Sequence, residues 1–152
     1  MSEKGKRAKA LFEQGYNCAQ SVAGAFAEEM GLPLETVARL ASPLGGGIGR
    51  MRETCGTVTG MMLVLGMAKG YADPKDAAAK KAIYARAQEL GRRFREDNGS
   101  LVCRELLGLA KPEGDPTPEP RTAQYYKKRP CGELCEYAAD LLAEELKRGA
   151  AS

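Results

Sequence analysis

The chain contains no histidine and no tryptophan. Without histidine no Ser-His-Asp or Cys-His nucleophile can be built. Nor is there a His-ligated zinc or haem, or a Cys-x-x-Cys-His haem attachment site. Aromatic residues make up only 6%, too few for a base-stacking platform. A net charge of +3 is too small to point to nucleic acid or an anionic membrane. The longest apolar stretch runs from Met61 to Leu65 and past Gly66 to Ala68, too short to span a bilayer. The N-terminal MSEKGKRAKALFEQG is charged throughout and lacks the apolar core of a signal peptide. A cytoplasmic protein is therefore expected. A Cys-x-x-Cys pair, the strongest sequence signal for zinc or thioredoxin-like chemistry, is also missing.

What remains is a chain of 152 residues, 43% hydrophobic and 28% charged, long enough for one domain over residues 1–152 with its own core. It has five cysteines. In a reducing compartment these are better explained by metal binding or redox chemistry than by structural disulfides.

Almost every periodic segment reads as helix. Residues 3 to 14 carry Ala8, Leu11 and Phe12 at helical spacing. Asn17 is a candidate N-cap for a helix from Cys18 to about Met30, ended by Gly31. Pro33 opens a short helix holding Val37 and Leu40, and PLGGGIGR follows as a loop. A helix from about Glu53 to Lys69 is apolar on most sides, which predicts a central buried position for Met61 to Leu65. Asp73-Pro74 opens the longest helix, to about Asp97, whose charged stretch 80–95 reads as a solvated face. Ser100 is expected to cap LVCRELLG. Residues 109–128 hold Pro112, Pro116, Pro118 and Pro120 and show no periodicity, a pattern of either a functional lid or disorder. Pro130 starts the last helix, with Leu134, Ala138, Leu141, Leu142 and Leu146 as a core stripe. No alternating strand pattern appears. The predicted fold is all-α, a compact helical bundle of about four main helices plus short ones.

On this map four cysteines from four separate helices fall near helix starts: Cys18, Cys55, Cys103 and Cys131. The positive end of a helix dipole stabilises negative charge, so a thiolate there is expected to have a lowered pKa. If the four ends converge, they form an anion-stabilising pocket suited to an iron–sulfur cluster or, alternatively, a zinc ion. Each cysteine can equally pack as a small buried hydrophobe. Cys135, four residues after Cys131 and on the same helix face, reads most simply as core.

The segments GYNCAQSVAGAF, GGGIGRMRETCGTVTGMMLVLG, GSLVCRELLG and CGELCEYAADLLAEEL follow one another over most of residues 10 to 146. In this pattern the chain resembles the C-GCAxxG-C-C family of redox-active proteins. The resemblance places the family's four signature cysteines on Cys18, Cys55, Cys103 and Cys131, and leaves Cys135 as an extra. The core motif departs from its label: Thr54 precedes Cys55 and Gly56 follows it. The resemblance implies redox activity and an iron–sulfur site with four cysteine ligands. It does not bring haem, whose ligands this chain lacks.

GGGIGR fails as a dinucleotide fingerprint, because Arg50 stands where the last glycine belongs and no strand precedes it, and it is no P-loop. Its glycines are expected either to let backbone amides approach a sulfur site or simply to connect helices. Arg50 and Arg52 read as anion-binding or pKa-lowering neighbours of Cys55, or as solvated surface. Glu53 reads as a helix cap. Tyr125, Tyr126, Lys127 and Lys128 read either as a cover over the site or as a self-association surface, which would make a homodimer. Three functions follow from these residues: electron transfer through a four-cysteine iron–sulfur site with another redox protein as partner, a thiol-disulfide oxidoreductase, or a structural zinc-binding interaction domain. No nucleic-acid or membrane partner is expected.

Overall fold

The computed structural model describes residues 2–109 and 114–148. Pro112 and the chain ends lie outside the described residues. The main helices are α1 (Glu3–Glu13), α2 (Cys18–Gly24), α4 (Leu34–Ala41), α6 (Gly56–Lys69), α7 (Ala77–Asn98) and α10 (Cys131–Lys147), and the short ones are α3 (Ala27–Met30), α5 (Gly45–Ile48), α8 (Cys103–Leu106) and α9 (Ala123–Lys128). No strand occurs among the described residues; a single isolated antiparallel bridge joins Thr54 to Val102. The all-α architecture is as the periodicity predicts.

α1 lies along α10 and α2 along α6, and α2 and α10 both touch α6, so α6 is the central helix. Its approach to α2 is close because Gly60 has no side chain: a Cβ there would lie 2.9 Å from the Ala19 carbonyl oxygen. The core is built around Phe12, Phe26, Phe94, Leu11, Met61 and Leu65, all essentially excluded from solvent. Each such side chain contributes about 1.5–3 kcal/mol on burial. α7 buries only Leu90, Gly91 and Phe94. Its exposed Arg92 bridges Glu89 and Glu96, both at 2.6 Å.

Several boundaries differ from expectation, each for a local reason. The helix from Cys18 breaks after Gly24: the Phe26 amide bonds to the Ala23 carbonyl, tightening the turn, before α3 resumes to the left-handed Gly31. Leu40 is exposed rather than core, while Val37 is buried. Within Met61–Leu65, Met62 is only half-buried and Leu63 is exposed, on the side of α6 away from the packed core. α6 starts at Gly56, later than the apolar run suggests, and α7 is capped by Asp76, whose carboxylate accepts from the Ala79 amide at 2.9 Å. Glu53 does not cap α6; it pairs with Arg104 at 3.2 Å. Ser100 does not cap α8 directly but accepts from the Val102 amide at 2.9 Å. The Pro-rich stretch contains a helix: Thr122 accepts from the Tyr125 amide and starts α9.

Candidate functional site: a four-cysteine cavity

Each signature cysteine sits at the start of a helix, as the sequence predicts. Asn17 caps α2 in a reciprocal capping box with Gln20, which makes Cys18 the first residue of that helix. Cys131 is the first residue of α10 after Pro130, and Cys103 the first of α8. Cys55 is the N-cap residue of α6.

Two devices bring these helix starts together. The first is the Thr54–Val102 bridge. Around it the Cys55 amide donates to the Leu101 carbonyl at 2.8 Å and the Cys103 amide to the Glu53 carbonyl at 2.6 Å, so the segments before α6 and α8 lie side by side. The second is the glycine turn. Gly47 adopts the left-handed conformation (φ +68°), and a Cβ on it would lie 2.6 Å from Cys103 Cβ and 2.8 Å from Arg52 Cα. Gly56 similarly leaves room for Cys18, whose Cβ would be 3.1 Å from a Gly56 side chain. Ile48, Arg50 and Arg52 also have positive φ, a conformation that stores about 1–3 kcal/mol at each non-glycine residue. The glycines thus let the turn pack directly against the cysteine-bearing segments.

The result is a cavity of about 60 Å³ onto which Cys18, Cys55, Cys103 and Cys131 all open. All are free thiols. Cys18 is half-buried and the others are buried. Cys18 and Cys131 are near neighbours whose thiols perturb each other's ionisation. Cys55 Sγ lies 3.1 Å from Thr57 Oγ1, and Arg52 Nη1 lies 3.6 Å from Cys103 Sγ. Cys135 does not line the cavity. It is fully buried beneath it, with its thiol 3.9 Å from the Cys18 carbonyl oxygen.

The expected lowering of thiol pKa is overturned. Burial pushes Cys55 up to about 11 despite its bonds to Thr57. Burial also raises Cys103, and the Arg52 guanidinium only partly offsets it. Its bond to Cys18, followed by burial, drives Cys131 far above the thiol range. For Cys18 the bond from Cys131 pulls downward, but contact with Cys135 and burial outweigh it. The helix dipoles, worth about 0.3–1 kcal/mol each when exposed, do not overcome desolvation and crowding. At neutral pH all four are protonated thiols.

Three arginines share the cavity wall: Arg52, Arg121 and Arg129. Arg121 was not apparent in the sequence. It donates to the Phe12 and Tyr16 carbonyls at 2.9 Å each and stacks over the Phe12 ring, 4.3 Å from its centroid. Arg129, two residues before Cys131, pairs with Glu119. Arg50 points away from the thiols and holds the Pro-rich segment through the Asp115 carbonyl at 2.7 Å and the Thr117 carbonyl. Tyr125 covers the cavity from α9, whereas Tyr126 packs edge-on against Phe12 with centroids 5.8 Å apart.

The thiol chemistry of this donor set suits a thiophilic metal or cluster. Among the described residues, however, no three Cys, Asp or Glu side chains stand in an arrangement that could hold a metal ion.

The molecule is an all-α domain that gathers four free cysteines from four helix starts around one cavity. The chain belongs to the family described as "Putative redox-active protein (C_GCAxxG_C_C)", whose model matches residues 16–145. Neither a curated protein nor a solved structure matches it. Among the described residues no helix is long and apolar enough to cross a membrane.

Proposed function

We propose that the cavity is a two-electron thiol–disulfide centre in which Cys18 and Cys131 are the working couple. The observation that carries this reading is that Cys18 and Cys131, free thiols at the starts of α2 and α10, open onto one cavity and perturb each other's ionisation. Oxidation removes two protons and two electrons and joins the two sulfurs; reduction reverses it. Cys18 is the more exposed of the two. Cys18 attacks and Cys131 resolves. Because both reduced thiols are protonated at neutral pH, no thiolate stabilises the reduced form as it does in strongly oxidising dithiol proteins. The couple is therefore proposed to rest in its dithiol form. The cytoplasm is the compartment that suits it.

The test is a redox titration of the protein against glutathione and dithiothreitol buffers with mass-spectrometric mapping. A Cys18–Cys131 disulfide formed reversibly supports the reading. A protein that keeps both thiols free under an oxidising buffer, or links other cysteines first, overturns it.

A second reading is favoured by a specific observation, that all four signature cysteines open onto one cavity. It is an electron-transfer iron–sulfur cluster, or a zinc ion, held by Cys18, Cys55, Cys103 and Cys131. A bound cation would supply the positive charge that four crowded thiols need in order to ionise. Anaerobic reconstitution with iron and sulfide, and separately with zinc, tests it. Stoichiometric uptake lost in Cys55→Ser and Cys103→Ser, but kept in Cys135→Ser, supports this reading. No stoichiometric uptake of either metal rejects it.

A further inference from the structure

Outside the thiol cavity lies a wider groove of about 310 Å³. The two are continuous, sharing Asn17, Gly46, Arg52, Arg121 and Tyr125 in their walls. The formal charges on the described lining residues are one-sided. The inner cavity carries Arg52, Arg121 and Arg129 and no carboxylate. The groove carries Arg50, Arg52 and Arg121 against a single acid, Glu119. Its outer wall is Pro116, Pro118 and Glu119, held in place by Arg50. A concave, low-dielectric wall of one sign concentrates ions of the other. The groove's size falls at the low end of small-molecule sites, about 300–1,000 Å³.

We propose that this groove is the binding site for a small anionic disulfide, a low-mass R–S–S–R whose R groups carry carboxylates, and that the arginines deliver its sulfurs to Cys18. The inference rests on the thiol–disulfide reading of the inner cavity and adds its substrate class. In the reaction the Cys18 sulfur attacks one sulfur of R–S–S–R. A Cys18–S–S–R bond forms, the R–S–S–R bond breaks, and the leaving RS⁻ takes up the proton that Cys18 gives up. Cys131 then attacks the Cys18 sulfur, expelling the second R–S as RSH. The protein dithiol is oxidised and one disulfide is reduced to two thiols. Nearby arginines lower the barrier to bringing two anions, substrate and developing thiolate, together. Neutral and cationic disulfides gain no such help.

The experiment uses three small disulfides of similar size: 3,3′-dithiodipropionate (dianionic), 2-hydroxyethyl disulfide (neutral) and cystamine (dicationic). Their rates of oxidising the reduced full-length protein are followed by thiol loss and disulfide mapping. At low salt, with each rate divided by that of the same disulfide with a small free thiol to remove leaving-group differences, the dianion is expected to react at least tenfold faster than cystamine, with the ratio shrinking at high ionic strength. Glu119→Gln is expected to raise the dianion rate about two- to threefold relative to the neutral rate. Arg50→Gln is expected to lower the dianion rate selectively. If the Cys18–Cys131 disulfide forms with all three probes at rates within a factor of two, the anion site is wrong and the thiol–disulfide reading stands. If none of the probes yields that disulfide, the thiol–disulfide reading itself fails, and this inference with it.

Discussion

Gly47 stands so close to Cys103 that a methyl group on it would lie 2.6 Å from the cysteine Cβ, and it does so in a left-handed conformation. The glycine turn is thus part of the wall that positions a signature thiol. Gly47→Ala combines backbone strain with a clash against Cys103, Arg52 and the Glu53 amide, and is expected to destabilise the fold by about 2–4 kcal/mol. Gly66→Ala is the contrast. A Cβ there meets nothing within 4 Å and sits inside α6, so it should stabilise by about 0.5–1 kcal/mol through helix propensity. Urea unfolding of the two variants under reducing conditions measures both. Equal effects would show that the turn does not fix the site.

The buried thiols make stability pH-dependent. Cys55 titrates at about 11 in the folded chain against an ordinary 9.0, so folding favours its protonated form. The unfolded chain then binds fewer protons than the folded chain above pH 9, and stability falls as pH rises. The contribution is complete below pH 9 and is lost as pH climbs toward 11. By pH 10 Cys55 alone should cost about 1.4 kcal/mol. Urea midpoints of the reduced protein at pH 8, 9 and 10 test this, and Cys55→Ala should remove part of the decline. A flat profile to pH 10 would show that Cys55 ionises without penalty.

The N-cap of α2 fixes where Cys18 stands. The Asn17 side chain accepts from the Gln20 amide at 2.9 Å and donates to the Ser42 carbonyl at 3.0 Å. Asn17→Ala should cost about 1 kcal/mol, and it should also slow formation of the Cys18–Cys131 disulfide by loosening the first turn. Asn17→Ser, which keeps the cap but not the bond to Ser42, should recover most of the stability. Thermal melts and disulfide-formation rates separate the two effects. A disulfide rate unchanged in Asn17→Ala would mean that the cap does not position the thiol.

Most of this architecture was legible in the sequence because its signals are local. The caps at Asn17 and Gly31, the 3.6-residue stripe of Leu134, Ala138 and Leu141, and the four helix-start cysteines depend on residues a few positions apart. What was not legible depends on distant contacts. The Thr54–Val102 bridge is too short to show any periodicity, yet it aligns Cys55 with Cys103. α9 was hidden inside a proline-rich run, because Thr122 and the tyrosines form a helix against Phe12 rather than by propensity alone. The thiol pKa shifts followed the same logic. Helix position is written in the sequence, but burial is a property of the packed molecule, and here burial wins.

The aromatic contact between α1 and α9 should decide how tightly the site is covered. Phe12 is fully buried and lies at the centre of one cluster. It stacks with Tyr125 at 6.3 Å, meets Tyr126 edge-on, and carries Arg121 over its face. Arg121 in turn ties the segment before α9 to the end of α1 through the Phe12 and Tyr16 carbonyls. Tyr125 lines the thiol cavity, so the same ring that holds α9 down also limits access to the cysteines. Phe12→Leu keeps an apolar side chain of smaller volume but removes the ring contacts, each worth about 0.5–1.5 kcal/mol. Global stability should drop by about 1–2 kcal/mol, less than for a truncation to alanine. Local opening of α9 should become easier by a similar amount, which corresponds to a roughly five- to thirtyfold rise in the open population. Alkylation of Cys18 and Cys131 by iodoacetamide, followed by mass spectrometry well below the melting temperature, should accelerate by that factor. Cys135 lies beneath the cavity and reacts only on wider unfolding, so its alkylation should stay far slower than theirs in both proteins. If Cys18 and Cys131 react no faster than Cys135, α9 is not a cover and the Phe12 effect is one of global stability alone.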